Sequence, residues 1–263
     1  MNVCVARLDE AQVFFGDRSA LRCSLAIHAG QHWLVMGPNG SGKSTLLDLL
    51  AGRRWPQLGE VTLLEHRLGS VDLRLLRQRI ALSGTNAFER LERTMTVRES
   101  IAGGFRDVLA PWWLNPGESH RPRVEALLDT FGLRSRATAP LLELSDGERT
   151  RVELARSLVR DCSLWLLDEP TRALDLAARE LVLDAITETI TAERVFATVM
   201  VVHQLEDIPR GMTHAVLLRG GAVVASGEIR SVLTSSLLSE TFGMDLELSE
   251  DENRWTAKIR RNY

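Results

Sequence analysis

Apolar and polar side chains alternate over residues 3–8 and again over 11–15, the period-two pattern of strands with one buried face. The two stretches predict two strands at the edge of a sheet, followed by a turn at Gly16-Asp17. Residues 25–27 lead through a second turn, Ala29-Gly30, into a short apolar run at 33–36 that fits a buried strand. From residue 45 to 51 the period changes. Leu46, Leu49 and Leu50 share one face of a helix, Gly52 is placed to cap it, and Pro56 prevents its continuation. A strand resumes at 61–64, leucines and arginines at 71–79 take helical spacing, and residues 80–82 read as another short strand.

Strand signals stop near residue 86. Residues 96–136 carry a helical pattern broken at Gly103-Gly104, Pro111 and Asn115-Pro116-Gly117, which predicts a helical insertion at about 86–160. Trp112-Trp113 within it could form a docking face, although burial is the commoner fate of such a pair. Ser145 with Glu148 makes a capping box, and Val152, Ala155, Leu158 and Val159 give the following helix an apolar stripe. Residues 163–167 are almost wholly apolar, as expected of a strand buried on both faces of a parallel sheet. A long amphipathic helix runs to about residue 190, and residues 195–202 form a further buried strand that ends at His203. Gly220-Gly221 between two apolar runs signals a hairpin. The tail holds a helical stretch near 229–242 and a charged, strand-forming end with Trp255.

Composition narrows the picture only a little. At 263 residues, 44% hydrophobic and 25% charged, the chain suits an ordinary globular protein with a substantial core. A net charge of −3 gives no bulk electrostatic case for nucleic-acid or membrane-surface binding, and no nucleic-acid partner is expected. Cys4, Cys23 and Cys162 are far apart and unpaired, which fits a reducing compartment and argues against a zinc site. No run approaches the length of a membrane span, and residues 1–30 carry no secretory pattern.

The stretch Gly37-Pro38-Asn39-Gly40-Ser41-Gly42-Lys43-Ser44-Thr45 changes the picture most. It matches G-x-x-x-x-G-K-[ST] at every fixed position, between a predicted strand and a predicted helix. Glycines let the backbone curl so that successive N–H groups face an anion, and the helix N-terminus adds partial positive charge. Lys43 is then expected to reach the β- and γ-phosphates of a nucleoside triphosphate, and the Ser44 hydroxyl to ligate Mg²⁺. Asp168 and Glu169 end the apolar run at 163–167, where an open α/β sheet places its ligands. Asp168 is expected to hold Mg²⁺ and Glu169 to polarise the attacking water. His203, at the end of the next strand, lies where a γ-phosphate contact is useful. Phe14 is expected in the core, and Phe15 is left open between core and base stacking.

In this order, the loop at 37–45, Leu144-Ser145-Asp146-Gly147-Glu148, the box Leu164-Trp165-Leu166-Leu167-Asp168-Glu169-Pro170, Ala173-Leu174-Asp175 and His203 resemble the nucleotide-binding domain of the ABC ATPase superfamily. The resemblance extends over nearly the whole chain. It implies an α/β P-loop NTPase fold with a mainly parallel sheet core, an antiparallel N-terminal β portion and an inserted helical subdomain. Residues 1–263 would form one domain with a C-terminal extension from about 229. It also implies Mg²⁺-dependent ATP hydrolysis in a head-to-tail homodimer that sandwiches two ATP molecules. Ser145 and Gly147 of one chain would cap the γ-phosphate held by the other's loop. Phe15 takes the place of the adenine-stacking aromatic, Asp175 would communicate across the dimer, and His203 would sense the γ-phosphate.

A finer likeness, in residues 203–209, the Leu-Ser-Asp-Gly-Glu-Arg form at 144–149 and the tail, is to ATPases of molybdate and iron-complex importers, a group with some members tied to no known permease. The expectation is the ATPase subunit of an importer of metal oxyanions or metal complexes. It would be cytoplasmic and held at the inner face of the membrane through a permease. The alternative is a soluble, non-transport ABC ATPase with a regulatory or interaction role. Two departures stand out: Asp146 where the family more usually has glycine, and Ser83-Gly84-Thr85-Asn86 where it places a glutamine that touches Mg²⁺ and links to the helical subdomain.

Overall fold

The computed structural model describes residues 3–84, 91–105, 120–252 and 254–260. Its first strands are β1 (Cys4–Phe15), β2 (Arg18–His28), β3 (His32–Met36), β4 (Leu58–Leu63), β5 (His66–Arg67) and β6 (Ile80–Ser83). After the helical stretch come β7 (Leu164–Asp168), β8 (Ala197–Val201), β9 (His214–Arg219) and β10 (Ala222–Glu228). All ten form one mixed sheet in the order β5-β4-β1-β2-β10-β9-β3-β8-β7-β6. The half from β9 through β3, β8 and β7 to β6 is parallel throughout, whereas β1, β2, β4 and β5 pair antiparallel.

The two strands expected at 3–8 and 11–15 are a single strand, β1, and it is not at the edge, because β4 and β5 lie outside it. The break in alternation is a bulge. Glu10 takes φ +47, and the register against β2 shifts between Leu8 and Ala11. An extra residue of this kind flips the in-out pattern without ending the strand, which is why it reads as two. Phe14, expected in the core, is only half-buried near the tip of this hairpin.

The parallel strands separate two cores. On one face, Trp33, Val35, Leu164, Leu166, Val199, Val201, Val216 and Leu218 pack against the N-terminal strands and α1 (Lys43–Leu50). On the other, Leu34, Met36, Trp165, Leu167, Met200, Ala215 and Leu217 meet the remaining helices. Those helices are α3 (Val97–Gly103), α4 (Arg121–Thr130), α5 (Asp146–Ser157) and α6 (Leu176–Thr191), with the short α2 (Leu73–Arg77) on the first face. Between β6 and β7 the described residues hold helices and one isolated bridge, Thr96 to Pro140. Trp112 and Trp113 lie outside the described residues.

The chain closes with α7 (Ile229–Val232), α8 (Ser235–Phe242) and a separate hairpin of β11 (Leu246–Asp251) and β12 (Arg254–Ile259). Trp255 and Leu246 of this hairpin are buried in the second core, and β12 packs on the 3₁₀ turn Leu205–Asp207.

Candidate active site

The loop from β3 to α1 is shaped by its glycines and pinned from outside. Gly37 has φ +153, and a Cβ there would lie 2.1 Å from the Leu218 carbonyl oxygen of β9. Gly42 has φ +104 and faces the Ala20 carbonyl oxygen at 2.7 Å in the same sense. Neither position admits another side chain. The Gly221 N–H, in the β9–β10 turn, donates to the Ser41 carbonyl at 3.2 Å, which fixes the far wall of the loop. Gly42 is the N-cap of α1 and supplies no side chain, so the first-turn N–H groups stay open for an anion.

Lys43 is buried and turned inward, its Nζ donating to Gly37 O at 2.8 Å and Pro38 O at 3.1 Å. Burial lowers its pKa, while the charges of Glu169 and Asp168 act the other way. Asn39, Gly40 and Ser44 are exposed, whereas Ser41 is buried with an unpartnered hydroxyl.

β7 and β8, paired in parallel, deliver the acidic residues and the histidine to neighbouring strand ends. Asp168 pairs with Val201, and the Glu169 N–H continues the ladder to Val201 O at 3.2 Å. Glu169 then takes φ +52, a strained conformation for a non-glycine residue, which swings it out of the strand. His203 Nε2 stands 2.5 Å from Glu169 Oε1, and Arg172 approaches the other carboxylate oxygen at 3.4 Å. Asp168 Oδ1 is buried and accepts no hydrogen bond. Burial, then Glu169 and Asp48, raise the Asp168 pKa; Lys43 and His203 pull it down. A buried carboxylate oxygen with no donor is the feature a divalent cation would satisfy.

The other expected residues sit on helix starts. Ser145 caps α5: its hydroxyl accepts from the Glu148 N–H at 3.3 Å, and Glu148 accepts from the Ser145 N–H at 2.9 Å. Ser145 and Asp146 are exposed. Gly147 has a local reason to be glycine, since a Cβ there would come 2.6 Å from the Ala178 Cβ on α6. Asp175 caps α6, its Oδ1 accepting from the Ala178 N–H at 2.8 Å. Phe15 is 54% exposed, with the Arg54 guanidinium over its ring, 4.7 Å from the centroid. A cavity of about 260 Å³ lies beside the Glu169–His203 pair, bounded also by Arg172, Arg179 and Asp207.

Three features escaped the sequence reading. Glu153 of α5 accepts from the Gly84 N–H at 2.8 Å, and the signal for it was an acid set between the buried Val152 and Leu154. Asp207 is buried, its Oδ1 3.8 Å from Arg179, and burial raises its pKa while Thr171 and Arg179 pull it down. Arg254 of the terminal hairpin forms a two-pronged ion pair with Glu180 of α6. Thr85 and Asn86, the positions examined in place of the family's glutamine, lie outside the described residues.

A family model described as "ABC transporter" matches residues 21–172, more than half of the chain, from β2 through the carboxylates. The chain belongs to the ABC transporter ATPase family. The cassette is 32% identical over 226 residues to an uncharacterized ABC transporter ATP-binding protein of Bacillus subtilis, covering 85% of each. It is 36% identical to the hemin import ATP-binding protein of Nocardia farcinica, over 85% of this chain and 75% of that one. Among solved structures, it is similar in fold to a metal-chelate type ABC transporter in an inward-facing conformation, with TM-score 0.76, 23% identity and coverage of 99% and 98%. It is also similar to an ATP-binding cassette in a dimeric post-hydrolysis state with ADP and Pi, with TM-score 0.71, 25% identity and coverage of 86% and 99%. The cassette is therefore an ATP-binding subunit of the ABC transporter type and an ATPase. No helix among the described residues is long and apolar enough to cross a membrane.

Proposed function

We propose that the cassette is the cytoplasmic ATPase subunit of an importer, joined to a membrane permease and working as a head-to-tail homodimer with ATP between the protomers. The observation that carries the reading is the set of groups at the ends of β3, β7 and β8. An open helix N-terminus with a buried lysine faces a carboxylate pair, one member with a buried, unpartnered oxygen and one bonded to His203. The one-domain organisation and the helical subdomain at about 86–160 belong to the same reading. Import is supported by the hemin import relative, and hemin is a metal complex, one of the two proposed cargo classes, metal complexes and metal oxyanions. The dimer is supported by the post-hydrolysis cassette.

The loop 37–45 wraps the β- and γ-phosphates with its N–H groups, and Lys43 turns from the loop carbonyls to the phosphate oxygens. Phe15 offers its exposed ring to the base. Ser44 and Asp168 would hold Mg²⁺, for which the unpartnered Asp168 Oδ1 is a fitting oxygen ligand. The ion, when bound, neutralises phosphate charge. Glu169 accepts a proton from the attacking water, and His203 orients Glu169 and contacts the γ-phosphate. Ser145 and Gly147 of the partner close the site, and Asp175 lies at the junction.

Glu169→Gln keeps the shape but removes the base. Turnover should fall by about 10²–10⁴-fold, with ATP binding kept and a dimer trapped that light scattering detects at saturating ATP. Near-normal turnover, or a monomer under those conditions, would refute the composite site. Purification of the tagged cassette from detergent-solubilised membranes should recover a permease; its absence would refute the transport role.

A further inference from the structure

We propose that Glu153 is a positioning residue that ties the phosphate-capping helix α5 to the backbone of the metal ligand Asp168. The proposal rests on the assignment of Asp168 to Mg²⁺ and of Ser145 to a phosphate. It concerns a residue to which neither assignment gives a role.

The link has two short steps. Glu153 Oε1 accepts from the Gly84 N–H at 2.8 Å, and the Ser83 hydroxyl is a neighbouring donor that also pulls down the pKa of this carboxylate. Gly84, at φ +99, then crosses against Asp168: a Cβ at residue 84 would lie 2.2 Å from the Asp168 carbonyl oxygen and 3.0 Å from its Cβ. Only glycine lets the chain pass so close. Ser83 meanwhile pairs with Leu167 in the parallel ladder, so the end of β6 and the end of β7 move as one. The carboxylate thus bears on the peptide that carries the metal ligand.

The chemistry of Glu153 argues against simple filling of space. Val152 and Leu154 beside it are buried and apolar, and burial raises the Glu153 pKa. Both named donors are neutral. A well-packed apolar side chain would serve packing alone at lower desolvation cost. A carboxylate here is instead suited to gripping a backbone N–H in a charge-assisted bond.

Its place on the helix gives the grip a use. Ser145 and Glu153 are eight residues apart on one continuous helix, about 12 Å of stiff rod at 1.5 Å per residue. A shift of the N-terminus of α5 as it meets a phosphate is carried along the rod to Gly84, and from there to Asp168. The route does not pass through Thr85 or Asn86, so it serves whichever side chain stands in for the family's glutamine.

The test compares the full-length protein with Glu153→Leu, which fills the space without an acceptor, and Glu153→Gln, which keeps one. In Glu153→Leu without nucleotide, amide exchange of a peptide spanning 80–84 should speed up roughly tenfold, the scale of one lost hydrogen bond. The Mg²⁺ concentration for half-maximal ATPase should rise severalfold, while ATP affinity measured with a chelator stays unchanged. Glu153→Gln should restore both readouts toward wild type. Unchanged exchange at 80–84 in Glu153→Leu, or a Gln variant that matches Leu, would overturn the proposal. Asp168→Asn separates the premises: if its Mg²⁺ requirement is normal, the metal assignment fails, and exchange at 80–84 still decides the link.

Discussion

Lys43 holds the carbonyl oxygens of Gly37 and Pro38 at 2.8 and 3.1 Å, so a phosphate that recruits this ammonium displaces two acceptors already in place. The motif at 37–45 predicted the residue and its neighbourhood, because a P-loop needs fixed residue types at fixed spacing. It did not predict the inward pose, which depends on burial. Gly147 shows the reverse. The sequence suggested a role toward a partner's phosphate, and the fold adds a contact within the chain, 2.6 Å from a Cβ at that position to Ala178. Gly147→Ala should therefore destabilise the free protein, by about 1–3 kcal/mol of overpacking, and the Ala178→Gly partner change should recover the melting temperature. If the double variant melts normally but does not hydrolyse ATP, Gly147 also acts outside its own packing. If the single variant melts as wild type, the clash is not real.

Among the elements, those with one clean pattern were legible: α1, α5 with its capping box, α6, and β7, apolar up to Asp168. β1 was not, because a bulge at Glu10 reverses the alternation halfway along it. The terminal hairpin was half legible. Its charged residues announced strands, but not that Trp255 enters the core or that Arg254 grips Glu180. From Glu180 the ion pairs step to Arg179 at 3.7 Å and to Asp207 at 3.8 Å, in the turn just after His203. Part-exposed pairs of this kind contribute at most about 1 kcal/mol each, so their value lies in placement. Arg254→Ala should leave the melting temperature nearly unchanged yet lower kcat severalfold, and exchanging the two charges (Arg254→Glu with Glu180→Arg) should recover part of it. A normal kcat in Arg254→Ala would show that the hairpin does not brace the histidine turn.

For the molecule as a whole, the acid limit of stability is set in part far from the nucleotide loop. His32 opens β3 as a buried residue, its Nδ1 3.1 Å from the Thr198 hydroxyl. Burial, aided by His214, lowers its pKa from 6.5 to about 4. The folded value lies below the unfolded one, so this group's contribution is intact above pH 6.5 and is lost as pH falls toward 4. The shift corresponds to about 3 kcal/mol. His32→Gln should flatten the fall in melting temperature between pH 6.5 and 4; an unchanged slope would assign the acid sensitivity elsewhere.

Among the described residues, the two cores on either face of the parallel strands share no buried apolar side chain. The sheet therefore acts as a bulkhead. Pairs of distant core substitutions on opposite faces, such as Leu50→Ala in α1 with Leu128→Ala in α4, should combine additively, whereas pairs within one face should interact. A map of mutational epistasis would fall into two blocks. What the blocks have in common is the backbone of β3, β7 and β8, whose ends carry Gly37, Asp168 and His203. Damage deep in either compartment would thus register at the same few strand ends, while remaining silent in the compartment across the wall.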